Sequence, residues 1–200
     1  MSLSSGSKPR GISLTADPSY WVALGHFVEA FALVEELLFA TLRYYAGVSH
    51  NVSKAIFSGV RTDMSMEYIR RIIAVNNLDA ERKIELDELF KHLKCISDLR
   101  NHVVHYGSFA TNESGRIASN KSRALTPDKI KEFRVSAVIL DGAARDLEKI
   151  SSHLVLHLGS SKSSFAERAR TFAVLNDAWL YTPPPNPQQK VHKSSRKGQS

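Results

Sequence analysis

The sequence predicts an all-α protein, an up-and-down helical bundle, on three observations. Apolar residues recur at helical spacing along most of the chain. Two cap-plus-proline pairs and a series of glycines mark where helices start and stop. The one long polar stretch, residues 108–127, shows no helical period and reads as a loop.

The elements follow in order. Asp17-Pro18 is an N-cap acid with proline at the first helical position. From there Trp21, Leu24, Phe27, Val28, Phe31, Val34, Leu38, Leu42 and Tyr45 keep helical spacing until Gly47. A short helix covers Val52–Phe57 and stops at Gly59. Asp63 is placed to cap a helix to Val75 that carries Met66, Ile69, Ile72 and Ile73. A long helix is expected from Asp79 to His105, ended by Gly107. The polar loop follows, with a short hairpin around Gly115. Thr126-Pro127 repeats the cap-plus-proline start, predicting a helix to Leu158, stopped at Gly159. A last helix, Ser164–Leu180, offers Phe165, Ala169, Phe172, Leu175 and Trp179 to the core, and "PPPNP" ends regular structure. The expected organisation is a disordered segment at 1–16, one helical domain at 17–181 and a disordered, proline-rich basic tail at 182–200.

Composition narrows the function classes. Two hundred residues, 42% hydrophobic and 24% charged, suit one globular domain. No apolar run approaches membrane-spanning length, and the N-terminus lacks the apolar core of a secretory signal. Cys95 is the only cysteine, which excludes an internal disulfide framework and is expected of a cytoplasmic chain. The net charge of +7 resembles a nucleic-acid signal, but most of it comes from the two ends, leaving 17–181 nearly neutral. Bulk charge therefore does not decide function.

The stretch "DLRNHVVHYGSF", Asp98–Phe109, is where chemistry concentrates. Leu86, Leu89, Leu93 and Ile96 trace a buried seam whose next position is Arg100, a cation where an aliphatic side chain is expected. A buried guanidinium needs an anion; Glu29 or Glu35 could supply one, or the side chain could reach solvent. Asp98, Asn101 and His105 are spaced three, four and seven apart and share one helix face. Arg100 lies about 140° of rotation from His105, within reach of its long stem. A cation, an amide and a titratable imidazole at one helix end suit phosphodiester chemistry: arginine binds phosphate through a planar fork, and histidine exchanges protons near neutral pH.

"RNHVVH" resembles the R-x4-H motif of HEPN domains, a helical ribonuclease family of toxins, RNA-guided effectors and antiviral systems. The polar residue after the arginine, here Asn101, and the position late in a long helix also match. The resemblance covers Asp17 to about Leu180, with only the six-residue motif specific. It implies a HEPN-type bundle in which Arg100 and His105 are the catalytic pair, supported by Asn101; the shared helix face adds Asp98 as a supporting or RNA-binding residue. It further implies a metal-independent, cofactor-free endoribonuclease leaving a 2′,3′-cyclic phosphate. Its partners would be RNA, a second copy with the motifs at the interface, and an antitoxin or defence partner. Some toxin members carry a modified tyrosine two places after the histidine; Gly107 stands there, which puts that regulation in doubt.

Other residues offer less. His153 and His157 are spaced like two metal ligands but lie in apolar "HLVLHL" without a third ligand, and read as structural. His102 is expected to pair locally with Asp98, and Cys95 to be an inert core thiol. Three readings stay open: a homodimeric ribonuclease, a non-catalytic RNA-binding domain of the same type, and a helical adaptor whose polar cluster is a buried network.

Overall fold

The computed structural model describes residues 17–76, 80–110, 115–158 and 178–184. Helix α1 (Pro18–Ala46) starts as its sequence dictates, with the Asp17 carboxylate accepting from the Ser19 N–H at 3.0 Å and proline in the first turn. Gly47 ends it in the left-handed region, φ 63°, which a side chain would disfavour. Helix α2 (His50–Phe57) is capped by Ser49. Helix α3 (Thr62–Val75) begins one residue before Asp63, so Asp63 is not its cap. The carboxylate instead sits in the first turn and accepts from Lys94 Nζ at 2.8 Å. Helix α4 (Ala80–Tyr106) ends where Gly107 takes φ 67° and donates its N–H to Val103 O.

Pairs across helices fix their directions. Asp63–Lys94 and Arg70–Asp87 make α3 and α4 antiparallel. Glu35–Thr62 and Tyr45–Asn76 contacts make α1 and α3 parallel. The up-and-down alternation therefore holds from α3 onward but not at the start, because the segment containing α2 carries the chain back before α3 begins. Phe27, Leu38 and Leu42 of α1 meet Ile69 of α3 and Leu86, Phe90, Leu93 and Ile96 of α4 in one core. Trp21 and Val28, expected in that stripe, stay exposed because they sit on its edge.

Strands β1 (Phe109–Ala110), β2 (Arg116–Ser119) and β3 (Glu132–Val135) form an antiparallel sheet in that order. The β1–β2 pair is the expected hairpin; β3 is not expected. Only a single 3-10 turn, Pro127–Lys129, follows Thr126, and the chain then extends. In "EFRV" exposed and buried residues alternate, so Phe133 and Val135 reach the bundle while Glu132 and Arg134 face out. Helix α5 (Ala137–Leu158) begins only after Ser136, whose Oγ accepts from the Ile139 N–H at 3.2 Å. It packs most extensively on α1, and Glu85–His153 and His92–Asp146 set it antiparallel to α4.

The expected helix Ser164–Leu180 lies outside the described residues up to 177, as do 1–16, Asp79, Gly159 and 185–200. Its described end, Ala178–Leu180, is not helical. Here the reason is visible: the carboxylate of Asp146 draws the backbone N–H groups of Leu180 and Tyr181 out of any helical pattern. Among the described residues no helix is long and apolar enough to cross a membrane.

Candidate nucleic-acid interface

The α4 seam does not run through Arg100. Leu99, fully buried, and Val103 carry it, with His102 beside them, and Arg100 stands half-exposed at its margin. Neither Glu29 nor Glu35 pairs with it. Its guanidinium lies over the Phe31 ring at 5.2 Å, and Nη1 donates to Asn101 Oδ1 at 3.2 Å. A cation–π contact holds the side chain while leaving its charge uncompensated.

The expected group comes together in part. Arg100 and Asn101 touch. His105 is exposed on the last turn of α4, and among the described residues it makes no hydrogen bond or ion pair, to Arg100 or otherwise. Asp98 points elsewhere: its carboxylate lies 3.7 Å from Lys94 Nζ and 3.6 Å from Lys131 Nζ, bracing α4 against the approach to β3. His102 is not paired with the Asp98 side chain. Its Nδ1 donates to the Asp98 carbonyl at 2.7 Å, and its ring packs on Phe133 and Tyr106, so it joins α4 to the sheet.

Two arginines that the sequence did not single out complete the surroundings. Arg116 faces the bundle with Val135 and Ala118, because Arg116 and Val135 are register partners and side chains two apart share a face. It donates through Nε to Ser108 Oγ at 2.8 Å and through Nη2 to Ser108 O at 2.7 Å, with its charge over Tyr20 at 4.7 Å. Arg123 lies over Tyr106 at 5.6 Å. Thus three arginines around the end of α4 rest on aromatic rings, and among the described residues none has a carboxylate partner. Some arginines elsewhere do, Arg70 with Asp87, Arg71 with Glu67 and Arg145 with Asp141, while Arg43 meets His50 instead. Residues 98–135 carry seven Lys and Arg against four Asp and Glu, whereas residues 17–97 carry nine against eleven. The near-neutral domain is therefore polarised, positive at the α4 end. Unpaired cations with interleaved aromatics are the composition of a surface for phosphodiesters.

Charged clusters elsewhere are largely paired within themselves. A groove of about 710 Å³ between α3 and α4 is lined by Asp63, Arg70, Asp87 and Lys94, among others, but those four are ion-paired across the two helices. Cys95 on its wall is half-buried, and burial pushes its thiol pKa up, away from nucleophilic use. His153 and His157 have a third companion that the sequence reading missed. Glu85, 68 residues before His153, sits 2.6 Å from His153 Nδ1 and 3.4 Å from His157 Nε2, the latter within ion-pair range but not aligned for a hydrogen bond. Tyr45 Oη meets His157 Nδ1 at 3.2 Å. Among the described residues no group of three or more His, Cys, Asp or Glu is arranged to hold a metal ion.

This cluster carries a pH prediction. Burial works to raise the Glu85 pKa, but hydrogen bonds and charge from His153 and His157 outweigh it and lower it from 4.5 to about 2. A depressed carboxylate stabilises the fold above its unfolded value, and that contribution is lost as pH falls from about 4.5 towards 2. With the side chain 27% exposed, solvent screening leaves roughly 1–2 kcal/mol. Glu85→Gln is expected to melt lower at pH 6 and to lose less stability between pH 5 and 2.5. Parallel melting curves for wild type and variant across that range would remove the assignment.

No family model, curated protein or solved structure matches the chain, so any functional reading rests on these side chains.

Proposed function

We propose that the protein is a HEPN-type, metal-independent endoribonuclease whose reacting groups are Arg100 and His105, with Asn101 supporting Arg100. The observation that carries this reading is Arg100 itself: an arginine held by an aromatic ring and an amide, with no carboxylate, one and a half turns before an exposed histidine. Such a guanidinium is open to a phosphate, and the imidazole is open to exchange a proton with it.

On this reading the ribose 2′-oxygen attacks the adjoining phosphorus as a histidine takes its proton. The bond to the 5′-oxygen breaks, and that oxygen leaves with a proton from a second acid. Products carry a 2′,3′-cyclic phosphate and a 5′-hydroxyl. Arg100 stabilises the charge that grows on the equatorial oxygens. One chain supplies one motif histidine, so a second copy meeting the first at the α4 ends provides the other proton carrier. Val104, 47% exposed between Arg100 and His105 in sequence, gives that meeting an apolar contact. An antitoxin or defence partner would act by covering the same end. Regulation through a tyrosine after the motif is not available at Gly107, and Tyr106 is half-buried between His102 and Arg123.

A second reading, a non-catalytic RNA-binding module, is favoured by one feature: among the described residues nothing orients the His105 ring, whereas a working base is usually held by a further group. The deciding test is incubation of single-stranded RNA with the purified full chain in EDTA. Cleavage with 2′,3′-cyclic phosphate ends is the expected outcome. RNA retained without products would establish the binding module, and products with 3′-hydroxyl ends, or cleavage abolished by EDTA, would exclude the mechanism.

A further inference from the structure

Beside the α4 end, Trp21 lies exposed at the edge of the α1 stripe. Its neighbour Tyr20 is buried and does the structural work: the Tyr20 hydroxyl meets Ser108 Oγ at 2.6 Å, tying α1 to the chain just past Gly107. Trp21 stands edge-on to that ring, with centroids 5.4 Å apart and an interplanar angle of 77°, and is 47% exposed. The Arg116 guanidinium sits 5.9 Å from the Trp21 ring and is itself fixed by two hydrogen bonds to Ser108. The indole is thus braced by a ring and a cation, and neither brace is a loose surface side chain. Ser108 is three residues beyond His105, so this assembly adjoins the proposed reacting end.

A fixed, half-open indole next to a cation without a carboxylate partner matches one nucleotide unit, a flat base joined to a phosphate. Stacking needs an unpaired base, because bases within a duplex already cover each other's faces. We propose that Trp21, braced by Arg116, is the stacking platform for an unpaired base of the strand whose phosphate is held at Arg100, which makes the ligand single-stranded RNA. This rests on the ribonuclease reading for the place of the phosphate. Because every base has a π-face, the platform sets strandedness and position rather than sequence.

The test uses the full chain carrying His105→Ala, so that RNA stays intact, and Trp179→Phe, so that Trp21 is the only tryptophan. A melting curve confirms that this chain folds. Single-stranded oligoadenylate is expected to quench Trp21 emission, while polyphosphate, with charge but no bases, leaves it unchanged. In the chain that keeps Trp179, Trp21→Ala is expected to weaken oligoadenylate binding about tenfold or more, and Trp21→Phe to retain most of it. RNA bound with unchanged emission, or equal quenching by polyphosphate, would overturn the platform and leave the nuclease reading standing. A blue shift on raising protein concentration alone would also overturn it, by showing Trp21 to be a contact between copies. Failure of every variant and of the wild type to bind RNA would overturn both proposals.

Discussion

Alanine at His105 is expected to lower the rate of RNA cleavage in EDTA by about 10²–10⁴-fold, the usual contribution of a positioned proton carrier. RNA retention should hardly change, because a single exposed imidazole, with no hydrogen-bond partner among the described residues, contributes little to holding a polyanion. Arg100→Ala should differ in kind. It removes a group that contacts phosphate in the ground state and more strongly in the transition state, so affinity and rate fall together, the rate by about 10²–10³-fold. Its salt dependence should also flatten, with the slope of log affinity against log salt falling by about 0.7 for one lost phosphate contact on a single strand. Arg100→Lys should recover the affinity better than the rate, since a point charge replaces a planar fork. Cleavage assays beside filter binding at two salt concentrations separate these effects. Wild-type rates in both alanine variants would remove the site. Both variants are expected to fold, because His105 is exposed and Arg100 stands at the margin of the core.

How far the sequence speaks depends on whether a feature is local. The start of α1 at Asp17-Pro18 and the stops at Gly47 and Gly107 involve residues a turn apart, and all three are legible. The same kind of signal at Thr126-Pro127 misleads. A proline start needs a helical pattern behind it, and "EFRV" alternates with period two, so the turn ends at Lys129 and Ser136 becomes the effective cap. Arg100 is legible as an anomaly, but not its explanation. The seam reading offers it a carboxylate or an outlet to solvent, whereas the fold leaves it half-exposed over Phe31, 69 positions away, and lets Leu99 and Val103 continue the core. Arg116 and Arg123 come from a strand and a loop, and nothing in their local pattern announces the α4 end. Likewise Glu85 meets His153 and His157 only because α4 and α5 are antiparallel. Helices are written in spacing; the partners of long polar side chains are written in the topology.

Asp146→Ala is expected to cost about 3–5 kcal/mol, the largest stability loss among the polar residues of the bundle. The Asp146 side chain is 2% exposed and is met by three donors: His92 Nε2 at 2.9 Å and the backbone N–H groups of Leu180 and Tyr181 at 3.0 and 2.8 Å. Removing the carboxylate leaves those donors facing the core. The two backbone N–H groups are offered no other acceptor in that carboxylate's place, and each orphaned donor costs about 1–3 kcal/mol. The strap Ala178–Pro184 is therefore held by one carboxylate as well as by the buried ring of Tyr181 and the half-buried ring of Trp179. Trp179 reports on it directly, stacked on His92 at 4.1 Å with Lys149 Nζ over its other neighbourhood at 4.3 Å from the ring centroid. In the variant, Trp179 is expected to become accessible to acrylamide quenching, and Tm to fall by roughly 10 °C for a domain of this size. Asp146→Asn keeps one acceptor oxygen and should lose roughly half as much. An unchanged Tm with Trp179 still shielded would show that apolar packing alone seats the strap. His92 lies eight residues, about 12 Å along α4, from Arg100. Loosening the strap should accordingly lower the temperature at which RNA cleavage is lost without changing its rate well below the melt, which separates a residue that holds the bundle from those proposed to act at its end.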